Sequence, residues 1–152
     1  MEPTSPTVPP LVRRARADDG TRTVLIADDD EDFRFVLAEL LAEEGHKVIH
    51  VPDGAAALDV LEAAAKGRAR SPDLLVLDLL MPKMSGIEVL QRLRKSARWA
   101  SLPVLVVTGV NDPMLRVRLD LPLAFKPETE VVLEAARRAL SFERAPFAKA
   151  AI

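Results

Sequence analysis

A chain of 152 residues, 49% of them hydrophobic and 29% charged, is long enough for one domain with a real core and too short for two ordinary ones. The net charge of −2 gives no basic excess to recommend nucleic acid or an anionic membrane as partner, and the lack of cysteine excludes disulfides and thiol chemistry. No apolar run approaches membrane-spanning length, and the opening stretch MEPTSPTVPPLVRRARADDG has no signal-peptide apolar core, so a soluble, cytoplasmic protein is expected.

Residues 1–20 are rich in proline, threonine and arginine without a hydrophobic period, and are expected to be a disordered tail. Residues 21–142 then read as the folded domain and residues 143–152 as a short C-terminal tail. TVLIAD, from Thr23, is a short β-branched apolar run and a buried-strand candidate. Phe33, Val36, Leu37, Leu40 and Leu41 follow at helical spacing, and Gly45 is a plausible stop. KVIHV is the second strand, after which Pro52, Asp53 and Gly54 turn into an alanine-rich helix from about Ala55 to Lys66, with Leu58, Leu61 and Ala65 inward. DLLVLD carries the third strand. Ser85 is placed to cap the helix GIEVLQRLRKS, whose Ile87, Leu90 and Leu93 share a face.

LPVLVVTG is a fourth strand, continuously apolar and so expected to be buried on both faces. Pro113 and Pro122 leave room for only a short or irregular fourth helix before LAFKP, the fifth strand. Thr129 opens the last helix, with Val132, Ala135, Ala136 and Ala139 suited to close packing. His46 and His50 lack a partner spacing and read as structural, Met81 and Met84 as loop packing, and Trp99 as a half-buried loop anchor. Strands alternating with helices, with little room for hairpins, predict an α/β fold with a parallel sheet covered on both sides.

In open parallel sheets, ligands bind beyond the carboxyl ends of the strands where the winding direction reverses. The first strand runs into Asp28, Asp29 and Asp30, the third ends in Asp78, the fourth in Thr108 and the fifth in Lys126. Converging carboxylates repel unless a cation sits between them, and hard oxygen donors select Mg2+ rather than zinc. A lysine pairs with a phosphoryl oxygen and a hydroxyl donates to another, while the small Gly109 leaves room beside them. The set suits transfer of a phosphoryl group to a carboxylate, with Asp78 the natural nucleophile.

VLIADDDEDFR, DLLVLDLLMPKMSG, PVLVVTG and AFKP, in that order, resemble the receiver domains of bacterial two-component response regulators, and the short fourth helix resembles the stand-alone, single-domain type. The resemblance implies a flavodoxin-like (βα)5 fold, with a five-stranded parallel sheet in the order 2-1-3-4-5. It implies phosphorylation of Asp78 by a sensor histidine kinase or phosphotransfer protein, an acidic pair of Asp28 and Asp29, and Mg2+ held by Asp29, Asp78 and the Leu80 carbonyl. Thr108 becomes the switch hydroxyl, and Lys126, before what the family makes a cis Pro127, the phosphoryl contact. Output would be phosphorylation-dependent binding to a protein target, not turnover catalysis.

The family commonly has an aromatic residue three before the lysine; here that position is Leu123. By the same resemblance, Leu80 and Val110, two residues after Asp78 and Thr108, stand where the family's side chains position the hydrolytic water, and their apolar character implies slow self-dephosphorylation. Two other readings share these residues. One is a pseudo-receiver, an interaction scaffold indifferent to phosphorylation; the other is a haloacid-dehalogenase-like phosphatase using Asp28 and Asp30.

Overall fold

The computed structural model describes residues 20–109, 113–126 and 128–141; the two predicted tails apart from Gly20, together with Val110 and Pro127, lie outside the described residues. Five strands, β1 (Thr23–Ala27), β2 (Lys47–Val51), β3 (Leu74–Asp78), β4 (Val104–Thr108) and β5 (Leu123–Phe125), form one parallel sheet in the order β2-β1-β3-β4-β5. Between them run α1 (Glu31–Glu43), α2 (Gly54–Ala65), α3 (Gly86–Arg94) and α4 (Pro113–Leu119), and α5 (Thr129–Ser141) closes the domain.

Strand period decides which side each residue serves. Val24, Ile26, Leu74, Val76, Leu105 and Val107 face α1 and α5; Leu25, Ala27, Leu75, Leu77, Val104 and Val106 face α2, α3 and α4. Both faces are covered, so β1, β3 and β4 are buried end to end, as their unbroken apolar runs require. Edge strand β2 is only half-buried.

Two helix phases differ from the sequence reading. On α1 the buried stripe is Phe33, Leu37 and Leu41 with Arg34 and Ala38, and Val36 is exposed. Val36 matched the apolar spacing, but Phe33, Leu37 and Leu41 repeat every four residues and draw the buried stripe toward Arg34 and Ala38. On α2 the inward residues are Gly54, Ala57, Leu61 and Ala64; Leu58 is half-buried and Ala65 exposed. Gly54 sets that phase: a Cβ there would stand 2.7 Å from the Met84 carbonyl oxygen, so α2 starts flush against the loop after β3.

The starts of α1, α2 and α3 are capped, at Ser85 as the sequence predicts. Asp30 accepts from the Phe33 amide, Asp53 from the Ala56 amide, and Ser85 with Glu88 forms a capping box. Gly45 ends α1 at φ 95°, in the left-handed region that glycine enters without a Cβ clash. Trp99 is more deeply buried than a half-exposed anchor, packed on the α3 side with the Arg98 guanidinium 5.2 Å from its ring.

Candidate functional site

The reversal of strand order between β2-β1 and β3-β4-β5 brings the ends of β1 and β3 together. Ala27 pairs with Leu77, so Asp28, just past the end of β1, and Asp78, the last residue of β3, stand side by side. Thr108 pairs with Phe125, and the Lys126 amide donates to the Thr108 carbonyl at 3.0 Å, which fixes the lysine at the same edge. Its ammonium donates to both oxygens of Asp28, at 3.0 and 3.2 Å, and to Asp78 Oδ2 at 3.4 Å. Asp28 and Asp78 are buried, 1% and 3% exposed, so these contacts are formed away from water.

One carboxylate oxygen from each of Asp28, Asp29 and Asp78 lies within 4.8 Å of the other two. Burial first, then the Asp28 charge, push the Asp78 carboxyl up to about 7, against the opposing pull of Lys126 and the Leu80 amide. Burial likewise raises Asp28, opposed by the Asp30 amide and Lys126. Burial alone would lower the Lys126 ammonium, but its bonds and charge contacts with Asp28 and Asp78 hold it above its ordinary value. One ammonium thus serves two buried carboxylates with a third beside them. The site is short of positive charge, and its donors are all hard oxygens, which fits a divalent cation of the magnesium kind.

The loop between β3 and α3 is held closely. The Leu80 amide donates to Asp78 Oδ1 at 3.3 Å and the Gly86 amide to the Leu79 carbonyl at 2.9 Å. A Cβ on Gly86 would collide with the Asp78 carbonyl oxygen and lie 2.8 Å from Leu79 Cα, so this close return needs glycine. The Leu80 side chain is 62% exposed at the mouth of the site. Thr108 is fully buried, whereas Gly109 is exposed, and a Cβ there would meet nothing within 4 Å. Leu123 and Phe125 are both half-buried on β5, two apart and so on one side of the strand.

Several supporting residues escaped the sequence reading. Arg34, buried on α1, donates to the Asp28 carbonyl at 2.8 Å and through Nε to His50 Nδ1 at 3.1 Å. This gives His50 its structural role and, with burial as the larger cause, lowers its pKa. An arginine interleaved with the apolar stripe, immediately after Phe33 and three before Leu37, was the available signal. Phe33 itself lies beneath Lys126, with Nζ 5.3 Å from the ring centroid. Lys83 reaches Asp53 at 3.5 Å and ties the loop after β3 to the start of α2. His46 accepts the Arg22 amide through Nδ1 at 3.2 Å, also structural.

The model of one family, described as the response regulator receiver domain, matches residues 24–120. The chain is 39% identical over 94 residues to the transcriptional regulatory protein CpxR of Escherichia coli K12, covering 62% of this chain and 36% of that protein. It is 36% identical over 96 residues to the sensor histidine kinase TmoS of Ectopseudomonas mendocina, covering 63% of this chain and 9% of that one. The chain thus corresponds to well under half the length of these curated relatives. Among solved structures, the phosphorylated cyanobacterial phytochrome response regulator RcpA superposes with a TM-score of 0.69 at 25% identity, covering 80% of this chain and 95% of that one. The chemotaxis protein CheY4 of Vibrio cholerae superposes with a TM-score of 0.65 at 27% identity, covering 78% and 98%. A family match of this length, on a sheet with this strand order, leaves no ambiguity of class: the chain belongs to the response regulator receiver domains of two-component systems.

Proposed function

We propose that Asp78 is the phosphoryl acceptor of this receiver domain. The observation that carries the reading is the Lys126 ammonium shared between Asp28 and Asp78 at the reversal point of the sheet. An Asp78 carboxylate oxygen attacks phosphorus, an O–P bond forms, and the P–N bond of a phosphohistidine donor breaks. The donor is a sensor histidine kinase or a phosphotransfer protein. Lys126 then follows a phosphoryl oxygen from its place 3.4 Å from Asp78, and Thr108 and Gly109 receive the others.

Asp29, Asp78 and the Leu80 carbonyl would hold Mg2+, which would neutralise charge on the carboxylates and the incoming phosphoryl group. Asp28 completes the acidic pair; its oxygens are already engaged by Lys126 and the Asp30 amide, which suits it to support the ligands. The acyl phosphate is read out by phosphorylation-dependent binding of a protein target, in the cytoplasm, without turnover catalysis. Against the phosphatase alternative stands Asp30, whose Oδ1 accepts the Phe33 amide as the cap of α1.

Mass spectrometry after incubation with acetyl phosphate and magnesium tests the assignment. Wild type should gain one phosphoryl group on Asp78, and Asp78→Asn should gain none while keeping its circular dichroism. A label that persists in Asp78→Asn overturns the reading.

A further inference from the structure

We infer that Phe33 is a positioning residue for Lys126, holding the ammonium between Asp28 and Asp78 by the face of its ring. The inference rests on the proposed phosphoryl-acceptor function only for its consequence; the placement stands on geometry. Four contacts close a circuit. The Asp30 amide donates to Asp28 Oδ1 at 2.8 Å, and the Phe33 amide donates to Asp30 Oδ1 at 3.1 Å. The Phe33 ring lies 5.3 Å from Lys126 Nζ, and Nζ returns to Asp28 at 3.0 and 3.2 Å. The first turn of α1 thereby sets the carboxylate and the ring against the same ammonium.

Ring and lysine are both sheltered: Phe33 is 7% exposed and the Lys126 side chain 15%. A cation within about 6 Å of an aromatic centroid is attracted by the ring quadrupole, most strongly where water is excluded. Asp28 and Asp78 hold the ammonium from the carboxylate side and leave its flexible stem unrestrained on the other. The ring closes that side without adding a negative charge to a site already crowded with carboxylates. A leucine would fill much of the same apolar volume but offer no quadrupole, so the aromatic has a role that packing alone does not need. An ammonium fixed before the phosphoryl group arrives loses less freedom when it engages.

The test replaces Phe33 in the full chain with phenylalanines of increasing ring fluorination, which keep shape and apolarity while draining the quadrupole. Nuclear Overhauser contacts between the ring and the Lys126 side chain of the wild type check the placement, and their absence overturns the inference. With magnesium present, Lys126 side-chain order should fall stepwise along the series while melting temperature holds. The rate of Asp78 labelling by acetyl phosphate should fall with it, by roughly twofold to thirtyfold overall. Order and rate that stay flat along the series, while Phe33→Leu lowers the melting temperature, would reduce Phe33 to a packing residue and overturn the inference. If wild type takes no label at all, the phosphoryl reading fails, and the order measurement still decides the positioning role by itself.

Discussion

The two connections flanking the site at the carboxyl edge of the sheet are built differently. The β3–α3 loop is pinned by the Leu80 and Gly86 amides, by the Ser85–Glu88 capping box, by Lys83 on Asp53 and by the close approach of Gly54 to Met84. Across the site, the described connection from β4 to β5 runs through a seven-residue helix to a three-residue strand, with Leu119 buried and Leu115 packed against the core. Asp78, the proposed acceptor, is thus preassembled by the loop that follows it. Glycine tests this most severely. Gly86→Ala should destabilise the domain by about 3 kcal/mol, the cost of forcing a methyl group into packed backbone. Gly109→Ala, with open space around its Cβ, should shift the denaturation midpoint hardly at all. Equal losses in urea titrations of the two variants would break the comparison.

The second prediction concerns the charge that the tight side encloses. The Asp78 carboxyl, raised to about 7 in the fold, binds a proton more tightly there than in the unfolded chain at its ordinary 3.8. Native protein therefore holds more protons than unfolded protein between those values, and Asp78 makes stability fall as pH rises from about 4 to about 7. In chelator at pH 8, Asp78→Asn should melt several degrees above wild type, and at pH 4 the advantage should vanish. Magnesium should raise the wild-type melting point more at pH 8 than at pH 5, because the ligand must be ionised to bind. A melting-point advantage of Asp78→Asn over wild type that does not grow from pH 4 to pH 8 in chelator would contradict the burial argument.

The same contrast explains what could be read from the sequence. The strands, the edge position of Asp28, Asp78, Thr108 and Lys126, and the cap at Ser85 were legible because period, apolar runs and chain order determine them locally; the strand order was legible only through the resemblance to a family that has it. The placements of Arg34, Phe33 and Lys83 were not. Arg34 looks like a polar interruption of an apolar stripe until β2 brings His50 beside it, and Phe33 looks like ordinary core until β5 delivers Lys126 over its ring. Both depend on partners 16 or more residues away, which spacing within one helix cannot reveal. Val36 and Ala65 failed for the converse reason: apolar residues at a plausible spacing were counted inward although the helix phase was set by other contacts.

A third effect, smaller in energy, concerns lifetime. Leu80 lies at the mouth of the site with no hydrogen-bonding side-chain atom, where a polar residue would hold water against an acyl phosphate. Replacing it should supply an orienting contact worth about tenfold or more in hydrolysis rate. Leu80→Asn should therefore lose phosphate from Asp78 faster than wild type, and Leu80→Asn with Val110→Glu faster still. Decay of the wild type within seconds, or no acceleration in the double variant, would refute the role given to these two apolar positions.

The smallest effect compares two strained residues, one on each side. Lys83, in the tight loop, and Asp120, between α4 and β5, are the non-glycine residues with positive φ among the described ones, at 67° and 49°. For an L-residue that conformation costs about 1–2 kcal/mol, less for aspartate, whose short side chain tolerates it. Glycine removes the strain but gives the unfolded chain more freedom, which cancels part of the gain. At Lys83 the change also removes the ion pair with Asp53, an exposed contact worth about 0–1 kcal/mol, so Lys83→Gly should be nearly neutral. Lys83→Ala keeps the strain and loses the pair, and should cost about 0.5 kcal/mol. Asp120 follows directly after α4, at the position where helices favour glycine, so Asp120→Gly should stabilise by about 0.5 kcal/mol. Differential scanning calorimetry of the three variants should rank Asp120→Gly above Lys83→Gly above Lys83→Ala. A reversed order would mean that Lys83 is held by its strain rather than by Asp53, and that the loop beside Asp78 is less tightly tied than its contacts indicate.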